Sequence, residues 1–492
     1  MAELILSIDQ GTTGTTVLLV DSKGRVKARA YQEIRQFYPA PGWVEHDPEE
    51  IYRSAVTLSK KALRAARVSA RDVCAIGLTN QRETFVVWER KTGRPIHRAI
   101  VWQCRRSAAI CEELRAREPE VTERTGLLLD PYFSGTKLKW MLDREPQLRM
   151  RASRGELCFG TIDSWLAFKL SRGAAHVTDF TNASRTLMFN LDGREWDDAM
   201  LDMLGVPREM MPKPVSSRGP IAEAAAGTIG DRPIPIGAMI GDQQSALYGQ
   251  GAVAAGEGKV TYGTGAFLLM NTGSRRIVSR NRLLSSSALG PNGEPAYALE
   301  GSIFVAGAAI QWLRDGLALI KRASDSAAIA RRSRHSDVYM VPAFVGMGAP
   351  YWDSDARGAI LGLTRGTNRA DIVRAALDSI AYQVADVVAA MESDTGERLN
   401  ELRADGGATS NGYLMQFQAD LLGRPVIVAR MAETTALGAA ILAGLAIGMW
   451  RSAEELASLR KVGKVFNPKM APAQREKLRE GWKAAVARVL TR

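Results

Sequence analysis

The chain has 492 residues, 46% hydrophobic and 24% charged, the proportions of a globular protein with two or more domains and substantial cores. Its 65 basic and 53 acidic residues leave a charge of +12, but the excess is dispersed in pairs such as Lys60-Lys61, Arg105-Arg106 and Arg331-Arg332. With no aromatic-interleaved basic block, that pattern argues against a nucleic-acid partner and for a solvated basic surface that attracts small anions. The first element in chain order is Leu4 to Val20, LILSIDQGTTGTTVLLV, which reads as strand, tight loop, strand. Its loop, Asp9-Gln10-Gly11-Thr12-Thr13-Gly14, offers backbone N–H groups and small hydroxyls where glycine lets the chain approach phosphate oxygens. Asp9 stands where a cation accompanying that phosphate would be held; alone, the segment reads sooner as an ordinary glycine hairpin.

Asp47-Pro48-Glu49-Glu50 is a helix start, with Asp as N-cap, Pro at the first position and acids in the first turn. Short β runs follow at Val73–Leu78, Phe85–Trp88 and Ile100–Trp102. Ile234–Ile240 is another apolar segment, interrupted by Pro235, and Gly241 leaves Asp242 room to point into a cleft; an N-cap role for Asp242 is the alternative. The small, glycine-rich stretch Gly249 to Gly258 marks a boundary. The expected lobes are 1–248 and 249–492.

The second half opens as the first does. Lys259 to Met270, KVTYGTGAFLLM, is strand, Gly263-Thr264-Gly265 loop, strand. Two such units, one per half, imply a duplicated architecture with a nucleotide between facing lobes. Ala436 to Trp450 is the longest uncharged apolar run and is too short for a membrane span of roughly 18 or more residues. It reads as a tightly packed buried helix. No signal peptide or C-terminal address is present, so the expected location is the cytoplasm. Cys74, Cys104, Cys111 and Cys158 form no C-x-x-C pair, and His46, His97, His176 and His335 are scattered, so neither a disulfide framework nor a zinc site is expected. A Walker loop, a nucleophile elbow and a dinucleotide fingerprint are all missing.

Several motifs carry a specific resemblance. Gly42-Trp-Val-Glu-His-Asp-Pro48, Thr79-Asn-Gln-Arg-Glu-Thr84, Trp102-Gln-Cys-Arg-Arg106 and Asp130-Pro-Tyr-Phe-Ser-Gly-Thr136 resemble the glycerol kinases. Gly241-Asp-Gln-Gln244, Tyr262-Gly-Thr-Gly265, Gly348-Ala-Pro-Tyr-Trp-Asp353 and Asp405-Gly-Gly407 do likewise, in order from residue 5 to about 450. The resemblance implies an α/β fold of two actin/hexokinase-like (ribonuclease H-like) lobes with a nucleotide and substrate cleft between them. It also implies in-line transfer of the γ-phosphate of ATP, with Mg²⁺, to glycerol. A kinase for another polyol or ketose of the same family is the alternative, and a non-catalytic actin-like ATP switch a further one.

The implied roles fall on particular residues. Arg82 supplies a fork of donors and Glu83 an acceptor for glycerol hydroxyls, although such a pair on its own is more often a surface ion pair. Trp102 and Phe267 cover the carbon skeleton, Tyr132 hydrogen-bonds a hydroxyl, Gln243 helps hold the substrate, and Asp242 is the general base. Thr12, Thr13 and Gly14 match the first phosphate loop and Thr264 the second. Gly307 and Gln311 match further nucleotide positions, and Gly407 and Asn411 the adenine-site turn. Asp9 reaches Mg²⁺ through water. Thr16 stands where many relatives have an arginine, so that phosphate contact does not carry over. Ala222 to Ile234 lacks the basic loop that binds fructose 1,6-bisphosphate in some relatives, and the histidine segment of phosphotransferase-controlled relatives is absent; neither control is expected. A homodimer or higher homo-oligomer is expected.

Overall fold

The computed structural model describes residues 3–334, 337–431, 433–452, 455 and 462–491; His335 and Arg492 lie outside them. Two mixed sheets dominate. The first orders Arg218–Ala224, Ile234–Gly241, Val73–Asn80, Leu4–Gln10, Gly14–Asp21 and Val26–Glu33. The opening hairpin is antiparallel, and Leu4–Gln10 pairs in parallel with Val73–Asn80 on its other side. The second sheet repeats this scheme. Gly258–Tyr262 and Ala266–Gly273 form its hairpin, and Leu402–Asp405 runs parallel to the first of them. The duplication legible in the two Gly/Thr loops is therefore present in the strand order.

Amphipathic packing fixes the first sheet. Helix Pro48–Ala66 begins as expected, with the Asp47 carboxylate accepting from Glu49 N at 2.9 Å. Its buried residues Ile51, Ala55, Leu58 and Ala62 recur at helical spacing and join the core formed by Leu4, Leu6 and Ile8. The strand beginning at Ala99 ends at Ile100, two residues earlier than expected, because the chain turns at Trp102.

The buried apolar helix is Thr434–Ala446, and it belongs to the other sheet's half of the chain only in sequence. It packs on the first sheet, in one cluster with Ile5, Leu18, Ala75, Ala238 and Ile240. The contact is so close that a Cβ on Gly77 would stand 2.3 Å from Ala439 O, which explains glycine in mid-strand. A division at 248/249 separates the two sheets, but this helix crosses it. On the second sheet, Arg369–Thr395 plays the covering role, with Val387 against Gly301.

Candidate active site

The opening loop is held from beneath by a polar network. Gln81 Nε2 donates to Gln10 Oε1 at 3.1 Å and Gly11 O at 3.3 Å, and Gln81 Oε1 accepts from Thr84 Oγ1 at 3.0 Å. His46 sits between Gln81 and Gln36, and Gln36 Nε2 donates to Thr12 O at 2.7 Å. Burial lowers the His46 pKa to about 4, so it serves this network as a neutral ring. The motif residues around His46 and Gln81 thus shape the loop carrying Thr12, Thr13 and Gly14.

Trp102 links that loop to an aromatic group. Its Nε1 donates to Thr12 Oγ1 at 2.8 Å, and its ring lies edge-on to Tyr132 and Phe267, with centroids 5.4 and 6.1 Å away. Phe267 comes from the second sheet, so the group spans both lobes. Trp102 and Phe267, expected to cover a carbon skeleton, and Tyr132, expected to hydrogen-bond a hydroxyl, converge.

Beside them lies a buried charge cluster. Arg82 is 2% exposed and meets Glu300 in a fork, Nη1 to Oε2 at 2.5 Å and Nη2 to Oε1 at 2.7 Å. Its other donors reach Tyr132 Oη at 3.3 Å, Gln244 Oε1 at 3.3 Å and, through Nε, Asp242 Oδ1 at 3.3 Å. Arg82 is therefore not an open fork as the motif suggested; its strong donors are spent on Glu300, and the contacts left to exchange are the three long ones. Arg185 completes the cluster, giving Nε to Glu83 Oε1 at 2.7 Å and Nη2 to Glu300 at 3.2 Å. Its Nη1 is buried without a partner. The two arginines hold the Glu300 carboxyl down at about 2 despite its burial.

Asp242 begins helix Asp242–Gly249, whose N-cap is Gly241 with no side-chain cap. Of the two roles weighed from sequence, the capping one is absent. Oδ1 accepts from Gln243 N at 2.7 Å and faces Arg82, whereas Oδ2 accepts from no described residue. Burial and Glu83 raise the Asp242 pKa, against Arg82 and Lys259. Glu83 Oε2 is likewise without a donor among the described residues. Gln243 Oε1 accepts from Lys259 Nζ, and burial brings the Lys259 pKa down to about 8.

Asp9 stands opposite Thr16 in the hairpin register and accepts no side-chain hydrogen bond from a described residue. Burial, then the carboxylates of Asp242 and Glu433, push it up to about 8. A carboxylate facing another without a cation between them suits a hydrated divalent ion. Among the described residues no three His, Cys, Asp or Glu side chains gather into a metal cluster.

In the second Gly/Thr loop, Thr264 is exposed while its carbonyl accepts from Ala306 N and Ala308 N at 2.8 and 3.0 Å. Gly307 packs on Gly263, where a Cβ would meet the carbonyl at 2.5 Å, so close backbone approach demands glycine there. Gln311 is exposed on the helix that follows. In the expected adenine turn, the strained glycine is Gly406, at φ +92°, with 2.2 Å between a built Cβ and Tyr262 O. Gly407 faces open space. Asn411 caps helix Gly412–Leu422 through Oδ1 and donates to Ser326 Oγ at 3.1 Å, so its side chain is largely committed.

Arg185, Glu300 and Lys259 were not expected at the site. A lone charge inside an otherwise apolar strand, the ALEGSIF of Glu300, is the signal that points to that residue; Lys259, in the polar-alternating GKVTY, and Arg185 leave none.

Residues 4–249 match the N-terminal domain of the FGGY family of carbohydrate kinases, and residues 258–447 match its C-terminal domain. A glycerol kinase of Geobacillus kaustophilus is 54% identical over 489 residues, 99% of each chain. Glycerol kinase 2 of Thermotoga maritima is 52% identical, across 99% of this chain and 98% of its own. Among solved structures, Plasmodium falciparum glycerol kinase with ADP superposes with a TM-score of 0.93 at 37% identity, covering 100% of this chain and 99% of that one. A Lactobacillus acidophilus gluconate kinase, at TM-score 0.88 and 21% identity over 99% and 98% of the chains, shares the fold.

Proposed function

This chain belongs to the FGGY family of carbohydrate kinases, and we propose that within it the protein transfers the γ-phosphoryl group of ATP to glycerol, giving sn-glycerol 3-phosphate and ADP. The observation that carries the reading is the free Oδ2 of Asp242, set beside Arg82 and the ring group of Trp102, Tyr132 and Phe267. A three-carbon polyol needs an apolar wall and paired donors and acceptors. Those are the groups gathered here.

Glycerol lies with its carbons against Trp102 and Phe267. Hydroxyls replace the long contacts of Arg82 and approach Tyr132, Gln243 and the unpartnered Glu83 Oε2. The terminal hydroxyl meets Asp242 Oδ2. As its oxygen bonds to the γ-phosphorus, the bond to the ADP oxygen breaks and the proton passes to Asp242. The loops at Thr12–Gly14 and Thr264 present backbone N–H groups and hydroxyls to the phosphates, and Gly307, Gln311, Gly407 and Asn411 lie on the nucleoside side. Asp9 would hold Mg²⁺ through water, and the ion would supply charge neutralisation on the phosphate oxygens. No helix among the described residues is long and apolar enough to cross a membrane.

A coupled ADP-release assay across glycerol, dihydroxyacetone, xylulose and no acceptor tests the assignment. Glycerol should give the highest kcat/KM, with little release without acceptor. A preference for xylulose, or release independent of acceptor, would overturn it.

A further inference from the structure

Lys259 lies on strand Gly258–Tyr262 of the second lobe, immediately before the second phosphate loop, and its side chain is fully buried. Burying an ammonium without function is costly, so its partners are informative. Nζ donates to Gln243 Oε1 at 2.5 Å and to Thr261 Oγ1 at 2.8 Å. Asp405, Asp242, Glu300 and Arg82 are the charges around it. Gln243 belongs to the helix that Asp242 begins and is half-buried, and its Nε2 donates to no described residue.

An ammonium has three donors and no acceptor, so only the oxygen of the Gln243 amide can face it. The nitrogen then turns away from Lys259, on a residue whose backbone N–H donates to Asp242 Oδ1. We propose that Lys259 is a positioning residue for the acceptor: by fixing the Gln243 oxygen it presents the Gln243 N–H groups, as donors, to a hydroxyl oxygen of the substrate. Asp242 then faces that substrate as acceptor and Gln243 as donor, so neighbouring hydroxyls are distinguished by the direction of their hydrogen bonds. The inference rests on Gln243 contacting glycerol, as proposed above.

The test is a double-mutant cycle on the full chain, reading the KM values for glycerol and ATP, with thermal melting to follow folding. Lys259→Met should raise the glycerol KM about tenfold, the usual scale for losing a hydrogen bond to a charged group, and leave the ATP KM within about twofold. In a Gln243→Ala background the same substitution should add little to the glycerol KM. Lys259→Arg, which keeps donors, should recover most of the loss. Gln243→Glu, which keeps the partner of Lys259 but removes the N–H donors, should behave as Gln243→Ala does.

Equal effects of Lys259→Met in both backgrounds, or an unchanged glycerol KM, would overturn the positioning role. An unchanged KM in Gln243→Ala itself would instead remove the substrate contact beneath it. Should Lys259→Met not fold, Lys259→Gln enters the same cycle with the same expected and contrary outcomes.

Discussion

Arg82 and Glu300 stand 218 residues apart in the chain, yet the Glu300 carboxylate takes both terminal nitrogens of the Arg82 guanidinium, at 2.5 and 2.7 Å. One residue comes from each lobe, so the fork ties the acceptor site to the second sheet. Glu300→Gln leaves Arg82 and Arg185 short of one buried negative charge. We expect a loss of about 3–5 kcal/mol in stability, read by denaturant unfolding, and a raised glycerol KM from a displaced Arg82. The pH dependence has a definite sign. Because Arg185 and Arg82 hold the Glu300 pKa below its ordinary value, its stabilising contribution is present above about pH 4.5 and is lost as the pH falls toward 2.

Asp9 has the opposite sign. Its raised pKa means that the folded protein holds this proton more tightly than the unfolded chain does. The group therefore favours folding at low pH, and that contribution is lost as pH rises from the ordinary carboxylate range through about 8. Asp9→Asn should leave Tm nearly unchanged at about pH 4 and raise it by about 2 °C or more at about pH 8.5, read by calorimetry, while Mg²⁺-dependent turnover falls. Thr16→Arg places a cation opposite Asp9 and should shift the Tm profile in the same direction.

Trp102 ties the ring group it forms with Tyr132 and Phe267 to the opening Gly/Thr loop through its bond to Thr12. Trp102→Phe keeps an aromatic surface but loses that donor. Steady-state kinetics should show the KM for ATP and for glycerol rising together, by about three- to tenfold, the scale of one neutral hydrogen bond. A rise for glycerol alone would assign Trp102 to the acceptor only.

Both hairpins were legible because each sets a Gly/Thr loop between apolar runs, a local pattern. Trp102, Tyr132 and Phe267 were legible through the motifs around them, and the structure brings them within ring contact. Arg185 was not, and Glu300 stood out only as a lone charge in an apolar run, with no partner named. Their meaning lies in pairings across 102 and 115 residues, which no local window carries. Helix Thr434–Ala446 was readable as buried, but its apolar residues run all round it and do not say which sheet it covers. The role of Arg82 was half legible: its place at the site follows from sequence, whereas the loss of its strong donors to Glu300 follows only from the fold.

The central claim is that Asp242 takes the proton of glycerol as phosphate is transferred. Its most direct test is the turnover of Asp242→Asn with saturating glycerol and Mg-ATP, measured by coupled ADP release on protein shown by melting to be folded. The account predicts a kcat lower by roughly 10²- to 10⁴-fold, the range for a positioned acid–base group. Near-normal turnover would contradict it.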